Sequence, residues 1–339
     1  MKAAVLKNWG EIEIQERPMP EIGPEEALIR VRYAGICGSD LHVASGNHPT
    51  ATVPRVLGHE FSGEIVKINS TIRTDLKEGD RVAVQPFLSC QKCEACKTGH
   101  DNVCTELKVF GVHTDGCFCE YMKVPARKVC KLPDSVDLEL AAITEPLAVG
   151  VHDVRSSGIK VGEKALIMGG GPIGLIIGLV ARKAGAKVVI SEINEYRVKF
   201  AKELGFTVMN PLDATFQEDL MAYTNGKGFD VVFEGTCVPS NLELMTKVCK
   251  IRGTIVTITF PTKPVGVPLA DVTMKEQKIV GVRIHSQVNF EAAIEMLADK
   301  DFAEQVKKIH THSFKLEDID KAYDFSIHDG EHFKVFIEM

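Results

Sequence analysis

The sequence lacks any long run of like charge. Its 40 Lys and Arg are outnumbered by 46 Asp and Glu, for a net charge of −6. It therefore offers no basic footprint for gripping nucleic acid or an anionic membrane surface. It also lacks an unbroken apolar stretch of membrane-spanning length. The opening Met1-Lys2-Ala3-Ala4-Val5-Leu6 gives way at once to Lys7 and Trp9, without the apolar core of a signal peptide. There is no internal repeat and no low-complexity tract. These absences leave a small molecule as the expected partner and the cytoplasm as the expected location. What is present, 339 residues with 45% hydrophobic and 25% charged, describes a globular chain with room for two domains. Without an export signal the ten cysteines read as reduced thiols, for which metal binding or redox chemistry explains any clustering.

The texture changes along the chain. The first part alternates in short runs, at residues 27–33, 63–68 and 80–84, broken by Gly and Pro, and predicts an irregular, mostly β domain. After about Glu145, apolar strands alternate with helical patterns: strands at 164–168, 187–191, 229–234, 254–259 and 278–284, helices at 173–184 and 240–250. That rhythm predicts an α/β region with a doubly wound parallel sheet. A helix near 290–298 and a short C-terminal segment ending in 333–338 make a tail too short for a domain of its own, so it is expected to pack back on the first.

Four thiols stand at Cys90, Cys93, Cys96 and Cys104, with Lys92, Lys97 and Gly99 among them. This spacing suits a closed tetrahedral zinc site with a structural role; disulfides or an iron–sulfur cluster are the alternatives. Upstream lie Gly35-Ile36-Cys37-Gly38-Ser39-Asp40-Leu41-His42 and Gly58-His59-Glu60. Cys37, His59 and a carboxylate offer soft, borderline and hard ligands to a second zinc, leaving a fourth position for water or substrate. A third signal, Gly169-Gly170-Gly171-Pro172-Ile173-Gly174, follows an apolar strand and opens an apolar helix, where bare amides can meet a pyrophosphate. Glu192 ends the next strand, 18 residues past Gly174, at the distance expected of a carboxylate that grips the adenosine ribose and favours NAD over NADP. Arg197 reads either as a surface helix residue or as a receptor for an extra phosphate.

Taken in order, these pieces, with Thr144-Glu145-Pro146-Leu147, resemble the zinc-containing medium-chain dehydrogenases over essentially the whole length. The resemblance implies a GroES-like catalytic domain at 1–146 and 285–339 and a Rossmann NAD-binding domain at 147–284. Glu145, where alcohol dehydrogenases of the liver type carry cysteine, points to the polyol branch. That branch implies a catalytic zinc on Cys37, His59 and Glu60, with Glu145 on the metal or its water, and Ser39 passing a proton toward His42. Segments 110–116 and 309–314 resemble bacterial dehydrogenases of L-gulonate or L-galactonate. The resemblance also implies substrate contacts from His113 and from Arg283, the latter at a sugar-acid carboxylate or merely at a structural seam, and a homo-dimer or homo-tetramer. The reading is thus oxidation of a secondary alcohol of a polyol or sugar acid, with sorbitol-, threonine- and butanediol-type enzymes and a non-catalytic NAD-binding regulator as alternatives.

Overall fold

The computed structural model describes residues 1–261 and 263–339. The chain divides into two compact units, Met1–Ala148 with Ser286–Met339, and Val149–His285. Among the described residues no helix is long and apolar enough to cross a membrane.

The first unit opens with β1 (Lys2–Asn8), β2 (Glu11–Glu16), β3 (Glu26–Gly35) and α1 (Gly38–Ala44), then β4 (Arg55–Val56), β5 (Glu60–Asn69), β6 (Arg81–Val84) and β7 (Phe87–Leu88). The one-turn α2 (Glu94–Lys97), β8 (Lys108–Val109), β9 (Tyr121–Pro125), β10 (Val129–Lys131), α3 (Leu138–Ala141) and α4 (Thr144–Ser157) follow. Its principal sheet runs β10-β6-β5-β3 and continues into two strands from the far end of the chain. Along β3 the buried side chains Ala27, Ile29, Val31 and Ala34 join Phe61, Ile65, Val82 and Val124 in one core. A short, largely antiparallel sheet of this kind needs only one apolar face, which explains the broken alternation of its sequence.

The second unit begins with the end of α4 and holds β11 (Lys164–Met168), α5 (Pro172–Lys183), β12 (Lys187–Ser191), α6 (Glu195–Glu203), β13 (Thr207–Met209) and α7 (Phe216–Tyr223). β14 (Phe229–Glu234), α8 (Pro239–Val248), β15 (Cys249–Thr257), α9 (Leu269–Met274) and β16 (Lys278–Gly281) complete it. The sheet is parallel, in the order β13-β12-β11-β14-β15-β16. Strand order reverses beside β11, whose carboxyl end is therefore where a doubly wound sheet binds ligands. β11 and β12 read as near-continuous apolar runs because helices cover both faces; Leu166, Met168, Val189 and Val232 are all fully buried.

Three of the boundaries that the structure corrects lie late in the second unit. The helix read to Lys250 ends at Val248, the strand read to Thr259 ends at Thr257, and the strand read to Ile284 ends at Gly281. Arg283 therefore lies beyond β16, next to Ile284 at φ +52°, and no longer in a strand. The chain then returns to the first unit through α10 (Gln287–Leu297), α11 (Lys300–Lys307), β17 (His310–Lys315), α12 (Ile319–His328) and β18 (Lys334–Glu338). β18 pairs antiparallel with the end of β3, Phe336 opposite Gly35, and parallel with β17.

Candidate functional site

In the first unit, the ends of β3 and β5 lie side by side, Gly35 opposite Glu60. A Cβ on Gly35 would come within 2.2 Å of Glu60 Oε2, so only glycine leaves space for that carboxylate. Cys37 follows as the N-cap of α1. Adjacent residues on a regular strand point to opposite faces, but the chain enters His59 through Gly58 at φ +91°, a left-handed turn that costs glycine little. As a result one ligand atom from each of Cys37, His59 and Glu60 lies within 4.8 Å of the others.

Two residues that the sequence reading left without a role hold this set. Asp40, fully buried, accepts a hydrogen bond from Cys37 N at 2.9 Å through Oδ2 and from Gly58 N at 3.1 Å through Oδ1. Its Oδ1 also lies 3.3 Å from His59 Nδ1. A carboxylate there keeps the proton on Nδ1 and leaves Nε2 as the ligand atom. Lys334, buried at the start of β18, donates to the Ile36 carbonyl at 2.8 Å and forms an ion pair with Glu60. Burial pushes the Glu60 carboxyl up, Lys334 opposes the shift, and Glu145 adds to it. Glu145 itself, in the first turn of α4, is buried and stands within electrostatic reach of Glu60 and Lys334. The converging set comprises Cys37, His59 and Glu60. A thiol, an imidazole and a carboxylate beside two further buried acids fit a divalent cation of borderline softness, and zinc best.

Ser39 and His42 sit one turn apart on α1. Ser39 Oγ lies 3.4 Å from His59 Nε2 and is half-buried, whereas His42 is exposed. The helix thus runs from the ligand set to solvent along one face.

Cys90, Cys93, Cys96 and Cys104 also converge within 4.8 Å. All ten cysteines are free thiols, which removes the disulfide alternative. The Cys93 and Cys96 sulfurs are 3.5 Å apart, and those of Cys90 and Cys96 3.9 Å. Four sulfurs at about 2.3 Å from a central ion would stand about 3.8 Å apart. The backbone amides of Cys90 and Glu106 donate to Cys104 Sγ, and that of Cys93 to Cys90 Sγ, at 3.2–3.3 Å. Amide donors bring the Cys93 thiol down to about 6, while burial and its sulfur neighbours push Cys96 up to about 12. Thiols so crowded cannot all ionise without a cation between them. The lobe is tied to the rest of the unit by buried Lys128, which reaches Asp101 at 3.0 Å and lies over the Phe87 ring.

The second unit carries the glycine turn. Gly169 has φ +102°, and a Cβ on Gly174 would stand 1.9 Å from the Gly169 carbonyl oxygen. Gly171 is the N-cap of α5 and Pro172 its first residue, which leaves the helix amides open to an anion, with Ile173 next in line. Glu192, buried just beyond β12, accepts from Gly170 N at 2.9 Å and from Ile193 N and Asn194 N at 2.7 and 2.8 Å. Arg197, on α6, brings Nη1 to 3.7 Å from where a Cβ on Gly171 would be. Glu234, fully buried at the end of β14, ties down the neighbouring turn through Thr236 and Cys237; nothing local in the sequence marked it.

His113 belongs to the first unit, and Arg283, exposed, to the second. The 309–314 segment is occupied in packing. His310 stacks on Phe336 with centroids 4.1 Å apart, its Nδ1 2.8 Å from Glu139 and its Nε2 2.9 Å from Ser313 Oγ.

A mostly β unit with a closed four-sulfur lobe and an open Cys-His-Glu set, joined to a dinucleotide-type parallel sheet, defines a metal-dependent dehydrogenase. Comparison with known proteins agrees: residues 23–134 match the alcohol dehydrogenase GroES-like domain and residues 172–299 the zinc-binding dehydrogenase family. The chain is 38% identical to 2-dehydro-3-deoxy-L-galactonate 5-dehydrogenase of Pseudoalteromonas atlantica, over 82% of each chain. It is 34% identical to L-galactonate-5-dehydrogenase of Escherichia coli, over 93% of this chain and 92% of that one. Among solved structures, an alcohol dehydrogenase from E. coli CFT073 complexed with NADH superimposes with a TM-score of 0.93 at 31% identity, covering 100% of this chain and 99% of that one. The chain belongs to the zinc-binding alcohol dehydrogenase family. It is an oxidoreductase acting on a CH–OH group, with zinc and a nicotinamide dinucleotide as its cofactors.

Proposed function

We propose that this enzyme oxidises a secondary alcohol of a hexonate to the ketone with NAD, using a catalytic zinc held by Cys37, His59 and Glu60. The observation that carries the reading is the convergence of those three ligands, supported by the sugar-acid names of the two relatives above. Bound zinc supplies Lewis acidity that lowers the pKa of a substrate hydroxyl. Cys37 and Glu60 balance the metal's charge, Asp40 orients His59, and Glu145 waits beside the set for water or metal. Ser39 accepts the hydroxyl proton and His42 delivers it to solvent. A bound dinucleotide would supply the hydride acceptor; the amides of Gly171, Ile173 and Gly174 would hold its pyrophosphate and Glu192 its adenosine ribose. A carboxylate fixed by amide donors at that place repels a ribose phosphate and favours NAD; Arg197 serves the same end of the cofactor. Cys90, Cys93, Cys96 and Cys104 hold a structural zinc. His113 and Arg283 contact the substrate, Arg283 at its carboxylate. A second copy of the chain covers the open edge of β16, where Ile279 is exposed, as are Leu269 and Met274 at the ends of the preceding α9.

The test is NADH or NADPH formation by zinc-replete protein with L-galactonate, L-gulonate, sorbitol, threonine and butane-2,3-diol. A hexonate with NAD should show the highest kcat/KM. Equal or better rates with sorbitol would make this a neutral-polyol enzyme and remove the role given to Arg283.

A further inference from the structure

Glu234 ends β14, the strand beside β11, and is wholly buried. Four donors face its carboxylate. Oε1 accepts from the Thr236 and Cys237 amides at 2.8 and 2.9 Å and from the Thr236 hydroxyl at 2.6 Å, and Oε2 accepts from the Thr259 hydroxyl at 3.1 Å. Thr259 lies just past β15, so one carboxylate gathers the turns that leave two neighbouring strands.

The Thr236 hydroxyl is fully used. It donates to Glu234 and accepts from the Val238 amide at 3.2 Å and from Asn241 Nδ2 at 2.9 Å, one donation and two acceptances, the capacity of a hydroxyl. That fixes where its methyl points: Cγ2 lies 3.0 Å from where a Cβ on Gly169 would stand. The preceding residue is tied to the same place, since the Gly235 amide donates to the Met168 carbonyl at 3.1 Å. Thr236 is thus a wall against which Gly169 turns, at φ +102°.

On the opposite side of β11 the same turn is held by Glu192, beyond β12, through the Gly170 amide at 2.9 Å. Two buried carboxylates therefore flank the Gly169–Gly174 turn, one directly and one through Thr236. A carboxylate suits this task because it only accepts, and the outward amides of a turn only donate. Glu234 faces inward to Thr236, Cys237 and Thr259, so whatever it does for a ligand passes through those residues.

We infer, on the cofactor placement proposed above, that Glu234 is a positioning residue for the dinucleotide: through Thr236 it holds the Gly169–Gly174 turn in the form that receives the pyrophosphate. A turn that adopts this form only part of the time binds more weakly in proportion. Glu234→Leu leaves the Thr236 and Cys237 amides without their acceptor. Glu234→Gln keeps an oxygen for them and turns an N–H toward Thr259, whose hydroxyl can accept it. Calorimetric titration of zinc-replete protein with NADH, and with ADP-ribose, which keeps the pyrophosphate and lacks the nicotinamide, reads the effect. Glu234→Leu should weaken both about tenfold, and Glu234→Gln should restore both to within about threefold of the wild type. Unchanged affinities, a loss confined to NADH or a failed rescue by Gln overturns the inference. Should Glu234→Leu not fold, Thr236→Val decides, because it removes the hydroxyl and keeps the branched shape: a loss of about threefold or more on both ligands supports the inference, and unchanged binding overturns it. Gly171→Asp tests the cofactor placement by itself. Gly171 has φ −68° and open space for a side chain except toward Arg197, and a carboxylate there would repel a pyrophosphate. Unchanged ADP-ribose binding in Gly171→Asp overturns the placement; weakened binding there with wild-type binding in Glu234→Leu overturns the role of Glu234 alone.

Discussion

Asp40 accepts from two backbone amides and stands against His59, and a neutral amide cannot replace it, because one side of Asn would present N–H to N–H. Asp40→Asn should therefore lower zinc affinity or kcat/KM by about 10–100-fold, read as zinc retained after dialysis together with turnover. Lys334 is the buried counter-charge of Glu60. Lys334→Met leaves bound zinc as the counter-charge of that carboxylate beside Glu145 and should cost up to about 3 kcal/mol of stability, measured by denaturant unfolding of the holoenzyme. An unshifted midpoint would mean that Glu60 is neutralised by other means. The four-cysteine cluster was legible from its spacing in one loop; Cys37 and His59 were expected beside a carboxylate whose identity, Glu60 or Glu145, the sequence left open, and the structure brings Glu60 together with them. Asp40 and Lys334 were not legible, because each gains its role only when the fold brings it to Gly58 or to Glu60, and a lysine before an apolar run reads as a solvated strand end.

Helix α4 carries Asp153, fully buried, with neither carboxyl oxygen hydrogen-bonded. Burial raises its pKa well above 3.8. The fold therefore favours the protonated acid, and this contribution is fully present below the unfolded value and lost as pH rises through the folded one. The Tm of the wild type should fall between pH 5 and pH 9 by more than that of Asp153→Asn; parallel pH profiles would clear Asp153 of any part. The four-cysteine lobe contains only the one-turn α2 and a short 3-10 turn at Asp101–Val103, so its shape depends on the metal. Cys93→Ser should lower Tm and release about one zinc per chain, with turnover lost only as the protein unfolds. At this scale β11, β12 and β14 were readable from their apolar runs. β13 and β17 were not: β13 is three residues long, too few for periodicity to register, and β17 is polar along most of its length.

The two-domain expectation rested on length, texture and the family resemblance, and the division into two compact units follows from the arrangement of their cores: one packs around β3, the other around β11 and β14. Exposed apolar side chains on and beside β16 bear on assembly. Ile279→Lys places a charge on an open edge strand, a device that blocks pairing. Light scattering after gel filtration should show the wild type as a dimer or tetramer and the variant shifted toward monomer; an unshifted variant would exclude that edge as the interface. The strand order of the first unit has a consequence for biosynthesis. Gly35 and Ala34 must wait for Phe336 and Ile337 before their sheet is complete, whereas the second unit is one continuous segment that can fold while still on the ribosome. Lys334 arrives with β18, so its ion pair with Glu60 forms only when that strand docks on β3. A chain cut before Lys334 should therefore lose a strand and also bind zinc more weakly at Cys37, His59 and Glu60, read as zinc retained after dialysis.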